Sequence, residues 1–589
     1  MRVLLFLLAF LAAPLMAQQA ADTIAPEGRG AGGVAVPPAL AGAARAKAEG
    51  RPFAAEHWMI AAAHPLAVAA GADVLRAGGT AADAVVAVQA VLGLVEPQSS
   101  GLGGGAFLVW HDGATGEITT LDGRETAPLE ATPRLFLGAE GQPLEFFEAV
   151  VGGRSVGVPG TPALLAEAQA RWGRADWAGL FDDAIRLAEN GFPVSPRLAA
   201  LVRRDAARLA RFPETRAYFL PGGQPLGEGE SLRNPAYAET LRLFAREGPR
   251  PFYTGEIAED IVARVRGADG NPGLLSPTDL AVYRVRERPA VCVPYRGHEV
   301  CGMGPPSSGG VGVGQILGLL APYDLAALGP GSAEAWRLIG DATRLAFADR
   351  GRYLADSDFV PVPVKGLLAP DYLRDRSDLL RGDDALPEVT PGAPAFDHAL
   401  NRGRGKTLAQ PATSHVSITD AYGNALSMTA SIENGFGSRL MVRGFLLNNQ
   451  LTDFSFASHE DGRVIANAVA PGKRPRSSMA PTIIRRDGQP VLVLGSPGGS
   501  RIIPYVARTI VAMLDWGLDA QAALDLPHLV NRFGPYELEA GAMPLASGLR
   551  ALGYTVEARD MTSGLHVIDL RARLSGGADP RREGLAYGD

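Results

Sequence analysis

The stretch Ala412–Thr429, "ATSHVSITDAYGNALSMT", decides how this chain is interpreted. Apolar and polar side chains alternate in it, turn-forming residues interrupt it at Asp420–Asn424, and the alternation then resumes. That pattern predicts two antiparallel strands joined by a tight turn. The hairpin opens with two hydroxyls and an imidazole in a row, at Thr413, Ser414 and His415, deep inside a chain of 589 residues.

Thr413 is the candidate nucleophile of this stretch. A threonine hydroxyl is a poor nucleophile unless a base lies beside it, and one solution uses the residue's own α-amino group, which exists only at a chain N-terminus. An internal Thr413 reaches that state if its hydroxyl attacks the carbonyl of Ala412 and the resulting ester is hydrolysed. This requires a strained loop before the threonine and a rigid strand after it, which the aperiodic segment 381–412 and the hairpin supply. Spacing alone supports the idea only weakly, because such a triplet at a strand start is common.

The composition describes a globular protein with a sizeable core. Hydrophobic residues make up 47% and charged residues 20% of the chain, and the net charge is -7. The length fits one large α/β body or two units. This charge argues against a nucleic-acid-binding surface and gives no support for binding to an anionic membrane.

The N-terminus is typical of an exported protein. Met1 and Arg2 precede the apolar run "VLLFLLAFLAAPLMA", which ends in small residues near Ala17. This layout predicts a signal peptide over residues 1–17, because the run is too short to span a bilayer comfortably. The alternatives are a buried helix or a membrane anchor. We expect a periplasmic or secreted protein without a stable membrane span.

The sequence predicts no metal or cofactor site. Its nine histidines are scattered without the spacing of a zinc motif, and "SSGLGGGAF" lacks the third glycine of a dinucleotide fingerprint, since Ala106 stands there. "VLGSPGGS" fails as a nucleophile elbow because Leu494 lies two residues before Ser496. Cys292 and Cys301 flank a predicted hairpin turn, and a disulfide and two buried free thiols remain equally open.

Several motifs, in order along the chain, resemble the γ-glutamyltranspeptidase family. They are "SGLGGGAF", "DGRETAP", "GPRPFYTGEIAEDI", "YRGHEV", "PPSSGG", "FADRGRYLADSDF", the hairpin above, "FLLNNQLTDFS", "GKRPRSSMAPTI" and "GSPGGSRII". The likeness covers about residues 58–585. It implies an N-terminal nucleophile hydrolase with a four-layer αββα sandwich. It also implies a precursor that cleaves itself into a large subunit, 18–412, and a small subunit, 413–589, which stay intertwined as a heterodimer.

The resemblance assigns roles to individual residues. Thr413 matches both the self-cleavage residue and the nucleophile, and Ser431 matches a supporting hydroxyl that is usually threonine. Gly498 and Gly499 match the pair whose backbone N–H groups form the oxyanion hole. The base is then the Thr413 amine, which leaves His415 to strand packing or support.

The implied substrate is a γ-glutamyl donor, whose α-carboxylate and α-ammonium need opposite partners. The matching residues are Arg124, Ser477 and Ser478 for the carboxylate, and Glu433, Gln450 and Asp453 for the ammonium. Glu433 stands where many members have asparagine, and the segment from Asp453 to Lys473 is shorter than in members with a lid over the pocket. Strict glutathione specificity is therefore not implied.

The resemblance predicts a γ-glutamyltransferase or glutathione hydrolase that passes an acyl group from Thr413 to water or to an amine acceptor. Two alternatives stay open. One is an acylase of the same superfamily for glutaryl-cephalosporins or poly-γ-glutamate. The other is a processed but inactive protein that only binds γ-glutamyl compounds.

Overall fold

The computed structural model describes residues 33–397, 402–405 and 412–589. The predicted signal peptide, residues 1–17, lies outside the described residues, and so does part of the predicted loop before Thr413. Ala412 and Thr413 belong to one continuous strand, so the structure is that of the uncleaved chain. Among the described residues, no helix has both the length and the apolar character that a bilayer-spanning segment needs.

Two antiparallel sheets of seven strands each form the centre of the protein. The Thr413 sheet has the strand order Leu585–Gly588, Met59–Ala62, Ala412–Thr419, Ala425–Glu433, Gly105–His111, Ile118–Gly123 and Arg286–Arg288. The facing sheet has the order Phe53–Ala54, Ser575–Ala578, His566–Asp569, Gln489–Gly495, Thr482–Arg486, His298–Gly302 and Val291–Tyr295. Both sheets therefore combine strands from before and after Thr413.

The predicted hairpin lies at the centre of the Thr413 sheet, and its alternation separates two environments. Val416 and Ile418 join the apolar core on the helix side of the sheet. Ser417 and Ser427 point the other way, where their hydroxyls donate to the carbonyls of His566 and Leu494 in the facing sheet. The alternation seen in the sequence is thus the division between the inner and outer faces of the sheet.

Helices cover the outer face of each sheet. The longer helices packed in the core of the Thr413 sheet are Pro65–Arg76, Ala81–Val95, Thr161–Trp172, Asp182–Asn190, Pro196–Leu209, Pro235–Glu247 and Glu256–Arg266. Those packed in the core of the facing sheet include Gly309–Leu320, Ala333–Tyr353 and Ile502–Leu514. Two further helices of eight residues are Ala41–Ala48 and Pro370–Ser377. The result is the predicted four-layer αββα sandwich, which is confirmed.

The helix Ala81–Val95 shows how local sequence sets an element. Thr80 and Asp83 form a capping box at its N-terminus, as their spacing predicts. Every residue of the helix is buried. Its many alanines and valines therefore serve close packing between the Thr413 sheet and the neighbouring helices.

The two cysteines lie on neighbouring strands, Val291–Tyr295 and His298–Gly302, and pair directly across them. Arg296 and Gly297, both with positive φ, form the turn between these strands. The structure contains a Cys292–Cys301 disulfide, which decides between the two alternatives left open by the sequence.

Candidate active site

Thr413 occupies an irregular position at the start of its strand. Ala412 pairs with Glu433 and Ser414 pairs with Ala430, so the register shifts at Thr413. Two residues, Ser431 and Ile432, therefore oppose the single Thr413, which is a β-bulge in the partner strand. Thr413 is nevertheless only 3% exposed.

The hydroxyl of Ser431 joins the two sides of the Ala412–Thr413 bond. It accepts a hydrogen bond from Thr413 Oγ1 at 3.1 Å and donates one to the carbonyl oxygen of Ala412 at 2.8 Å. It also accepts from the backbone N–H of Glu433 at 2.8 Å. Gly104, in the "SGLGGGAF" motif, packs against the Ser431 backbone, since a Cβ there would lie 2.2 Å from the Ser431 carbonyl oxygen.

A pocket with about 290 Å³ of empty space opens beside Thr413. Its walls are Arg124, Thr413, Ser431, Glu433, Gln450, Asp453, Ser477, Ser478, Met479, Gly499 and Ile502. The structure thus brings together all the predicted side chains of the site. Gly498 and Ala412 adjoin the pocket in sequence but do not line it, whereas Met479 and Ile502 are wall residues that sequence reasoning missed.

Arg124 supplies positive charge to one end of the pocket. Its Nη2 pairs with the carboxylate of Asp453 and its Nε donates to the carbonyl oxygen of Pro475 at 3.1 Å. Its own carbonyl accepts from the hydroxyl of Tyr283 at 2.9 Å, which fixes the backbone. Nη1 is buried and makes no hydrogen bond with any described residue. Because a buried unpaired donor is costly, this atom is a natural contact for an anionic ligand.

Ser477 and Ser478 are held from the other half of the chain. Ser308, in the "PPSSGG" motif, donates through its hydroxyl to the Ser477 carbonyl at 2.5 Å. The Ser477 hydroxyl accepts from the Met479 N–H at 3.1 Å, and the Ser478 hydroxyl accepts from Arg350 Nη2 at 2.7 Å. Both hydroxyls act as acceptors in these contacts, which leaves their protons available to a carboxylate.

Gln450, Asp453 and Glu433 add oxygen atoms to the pocket, and Asp453 lies between Arg124 and Gln450. Gln450 Nε2 donates to Asp453 at 2.9 Å, while Gln450 Oε1 is buried and accepts no hydrogen bond from any described residue. Glu433 accepts from the side-chain amide of Asn449. Its φ of 76° lies in the left-handed region, which a residue with a side chain adopts only when its surroundings hold it there. These acceptors suit an ammonium group.

The glycine pair lies where the chain enters a helix. Gly498 and Gly499 have φ values of 139° and 57°, and a Cβ on Gly498 would lie 2.7 Å from the ring of Tyr505. A short 3₁₀ turn from Gly499 leads into the helix Ile502–Leu514. Backbone N–H groups at a helix start lack intrahelical partners and favour negative charge. The pocket therefore has such a start at the wall formed by Gly499.

Glu125 is a buried carboxyl next to Arg124 that sequence reasoning did not single out. Both its oxygens lack hydrogen bonds among the described residues, and Oε2 lies 3.7 Å from Arg124 Nη1. Burial raises the pKa of Glu125 to about 8, and the nearby guanidinium only partly opposes this. Burial therefore favours the neutral form of this carboxyl. Its place in "DGRETAP" was a signal, but its burial was not readable from the sequence.

His415 is not among the residues that line the pocket. Its Nδ1 lies 2.8 Å from the Thr429 hydroxyl oxygen and its Nε2 lies 3.0 Å from that of Ser417. Burial, reinforced by the neighbouring His566, lowers the pKa of His415 well below its usual value. Gly495 makes room for the ring, because a Cβ there would lie 2.3 Å from it. These contacts are those of strand packing and support.

A larger cavity, with about 1120 Å³ of empty space, shares no wall residue with this pocket. Arg288 lines it and makes a two-pronged contact with Asp358, and Arg474 pairs with Asp122. Size alone therefore does not identify the reactive site of this protein. The smaller pocket has the hydroxyl pair of Thr413 and Ser431.

The sheet–sheet sandwich, with a buried hydroxyl pair at the end of a central strand and a glycine turn beside it, defines the class of N-terminal nucleophile hydrolases. The family model described as gamma-glutamyltranspeptidase matches residues 67–588. This chain belongs to the gamma-glutamyltranspeptidase family.

Individual relatives include both hydrolases and acylases. The chain is 37% identical over 544 residues to the glutathione hydrolase proenzyme of Bacillus subtilis (strain 168), with 90% of this chain and 91% of that protein covered. It is 36% identical over 550 residues to the acylase ACY 1 proenzyme of Pseudomonas sp. (strain V22), covering 91% and 94%.

Solved structures show the same mixture. The cephalosporin acylase from Bacillus halodurans superposes with a TM-score of 0.81 at 28% identity, covering 92% of this chain and 97% of that chain. The gamma-glutamyltranspeptidase of Helicobacter pylori superposes with a TM-score of 0.55 at 36% identity, covering 57% of this chain and 96% of that chain.

Proposed function

We propose that this protein is a self-processing γ-glutamyltransferase and glutathione hydrolase. The observation that carries the proposal is the pair of unmatched atoms in the Thr413 pocket. Arg124 Nη1 is a buried donor and Gln450 Oε1 a buried acceptor, and neither has a hydrogen-bond partner among the described residues. The carboxylate and ammonium of a γ-glutamyl group would satisfy one each.

The contacts around Ser431 support self-cleavage at Ala412–Thr413. The Thr413 hydroxyl oxygen would bond to the Ala412 carbonyl carbon while its proton passes to Ser431 Oγ. The proton of Ser431 would pass to the Ala412 oxygen, which it already contacts at 2.8 Å. The carbon–nitrogen bond would then break as the proton on that oxygen passes, through the Ser431 hydroxyl, to the nitrogen and the carbonyl re-forms, and water would hydrolyse the ester. The products are a carboxylate on Ala412 and a free amine on Thr413.

The same hydroxyl would then act on substrate. With its own amine as base, Thr413 Oγ1 would attack the γ-carbonyl carbon and form a γ-glutamyl ester, releasing the donor's amine. Backbone N–H groups of Gly498 and Gly499 would stabilise the oxyanion, and each such donor is worth about 3 kcal/mol of barrier. Water or an amino-acid or peptide amine would take the acyl group in the second step.

The first test is denaturing electrophoresis with N-terminal sequencing of the smaller band, followed by assay with a γ-glutamyl anilide. We expect a small subunit that begins Thr-Ser-His, from residue 413, and an acyl-enzyme mass on its N-terminal peptide. Full activity of an unprocessed chain would contradict the scheme. A matured protein that forms no acyl-enzyme would instead favour an inactive binding protein.

A glutaryl-cephalosporin or poly-γ-glutamate acylase is the second candidate, favoured by the 36% identity to the acylase ACY 1 proenzyme and the shared fold of a cephalosporin acylase. A glutaryl group lacks the α-ammonium, so the two functions separate at Glu433. We expect Glu433→Gln to slow hydrolysis of a γ-glutamyl anilide by at least about tenfold. Hydrolysis of a glutaryl anilide should change little. A wild type that prefers the glutaryl anilide would favour the acylase.

Export also belongs to the proposal. Residues 1–17 have the layout of a signal peptide, and the Cys292–Cys301 disulfide supports an oxidising compartment. Mass spectrometry of the mature large subunit tests this, because export predicts a start near residue 18.

A further inference from the structure

A buried arginine from the C-terminal part of the chain holds the backbone of Thr413. Arg582 Nη1 donates to the Thr413 carbonyl oxygen at 2.9 Å, and Arg582 is only 1% exposed. Thr413 lies opposite the bulge, and the ladder with Met59–Ala62 on the other side of its strand begins only at Val416. The guanidinium therefore holds the Thr413 carbonyl beyond the end of that second ladder.

Several contacts direct this side chain towards Thr413. Lys47 Nζ donates to the carbonyl oxygens of Arg582 and Gly584 at 2.6 and 2.7 Å. A Cβ on Gly564 would lie 2.8 Å from Arg582 Cδ and 2.7 Å from Pro497 Cγ. Gly564 thus leaves a channel for the arginine next to Pro497, the residue just before the glycine pair.

We propose that Arg582 is a positioning residue whose positive charge keeps the α-amine of mature Thr413 in its uncharged, basic form. The inference rests on the proposed function, in which cleavage creates that amine. Standard bond lengths place an amino nitrogen within about 3.6 Å of the carbonyl oxygen of the same residue. The guanidinium therefore lies within about 6.5 Å of the amine. A cation at this distance disfavours protonation of an amine, and burial acts in the same direction.

Other charged groups around Thr413 are largely paired. Asp453 pairs with Arg124, and Glu96, which accepts from the Ser414 hydroxyl at 3.1 Å, pairs with Arg197. Glu433, whose carboxylate accepts from Asn449, is another acidic group in the pocket. In the substrate complex it would face the substrate ammonium, so the charge of Arg582 acts there with less opposition.

Glu583 needs separate treatment, because it follows Arg582 and titrates near neutral pH. Burial raises the pKa of Glu583 to about 7, and its carboxylate accepts from the Arg197 backbone N–H at 2.9 Å. A pH profile alone could confuse this carboxyl with the amine. Glu583→Gln is therefore the matched control for changes at Arg582.

The first experiment compares the pH dependence of kcat for mature wild type, Arg582→Gln, Arg582→Lys and Glu583→Gln on a γ-glutamyl anilide. Glutamine keeps an N–H donor without the charge, whereas lysine keeps the charge. In Arg582→Gln, we expect the acid limb of the kcat–pH profile to shift by about one unit towards higher pH, because the amine would be protonated at a higher pH. The limbs of Arg582→Lys and Glu583→Gln should stay within about 0.3 unit of wild type. A loss of kcat at all pH values without a shift, or a shift only in Glu583→Gln, overturns the proposal.

A second measurement needs no variant. The rate at which cyanate carbamylates the Thr413 amine of wild type, followed by mass spectrometry of the N-terminal peptide of the small subunit, gives the titration of the amine directly. We expect a midpoint clearly below the range of about 7.7–8.0 for an ordinary α-amine. A midpoint within or above that range overturns the role of Arg582. Failure of the proposed function looks different, because the wild type would then have no N-terminal Thr413 to modify.

Discussion

Two regions of one hairpin, a few residues apart, differ sharply in what they can do. At the pocket end, Thr413 and Ser431 share a hydrogen bond beside a cavity that contains unmatched donors and acceptors. In the middle of the hairpin, one ring nitrogen of His415 contacts the Thr429 hydroxyl and the other contacts the Ser417 hydroxyl. Gly495 packs against the ring. Both pairs lie on the same two strands.

The difference teaches that residue type is a poor guide to a reactive group. An imidazole is the commonest base in enzymes, yet burial holds His415 neutral and its partners are complete. A hydroxyl is intrinsically weak, yet Thr413 lies against a carbonyl, a second hydroxyl and a pocket. The contacts that surround a group, rather than its residue type, therefore decide what it can do.

The largest expected effect is at Thr413. Thr413→Ala removes the attacking oxygen, so we expect an uncleaved chain and a loss of γ-glutamyl hydrolysis of at least about 10³-fold. Thr413→Ser keeps the hydroxyl and should still mature. Electrophoresis and an anilide assay check both variants. Cleavage of the 412–413 bond in the alanine variant would sink the assignment.

The charged end of the pocket comes next. Arg124→Gln leaves Asp453 buried without its partner and removes the donor for a substrate carboxylate, so we expect KM to rise by about 10²-fold. Arg284→Gln is a matched control, because this exposed arginine lies at the larger cavity and has no carboxylate partner among the described residues. Equal KM values for the two variants would contradict the pocket assignment.

The two hydroxyls of the second strand test the comparison directly. Ser431→Ala leaves the Ala412 carbonyl and the Glu433 N–H without a partner, so we expect cleavage and kcat to slow by about 10²-fold. Ser431→Thr should restore both cleavage and kcat. Thr429→Val, in the middle of the hairpin, should change kcat by no more than about threefold. Equal losses of kcat in Ser431→Ala and Thr429→Val would contradict the functional difference between the two regions of the hairpin.

The smallest effect on activity is expected at His415. His415→Gln should keep kcat within about threefold and leave the acid limb of the pH profile in place. Stability should respond instead. Because the folded pKa of His415 lies below the unfolded value, the unfolded state binds more protons below about pH 6.5, and the fold loses stability as pH falls. Between pH 7 and pH 5, the Tm of His415→Gln should fall less than the Tm of wild type. A shift in the acid limb of its kcat profile would instead identify His415 as a base.

Local patterns in the sequence predicted local structure well. The alternation of the hairpin, the Thr80–Asp83 capping box and the cysteine hairpin depend on neighbouring residues, and each is present in the structure. The start of the helix Ile502–Leu514 has no side-chain cap. Helix starts depend on the preceding turn, here built on Gly499.

The pocket itself could be predicted only through the family resemblance. Arg124 and Asp453 are 329 residues apart, and no spacing rule relates them. The bulge opposite Thr413 and the burial of Glu125 depend on tertiary packing, as does the contact of Arg582 with the Thr413 carbonyl. Such features follow from which strands become neighbours, and the sequence has no local pattern for that.

The interleaved strands determine how the two pieces of the chain would separate and reassemble after a cut at Ala412–Thr413. In the Thr413 sheet, Met59–Ala62 lies between Leu585–Gly588 and Ala412–Thr419, and Gly105–His111 adjoins Ala425–Glu433. A cut at Ala412–Thr413 would sever the chain but leave these ladders joined, so the two pieces could part only by unfolding. Once apart, they would have to find each other before either sheet could form again, which makes reassembly dependent on concentration. We expect the matured protein to persist by slow unfolding and, once unfolded, to recover poorly.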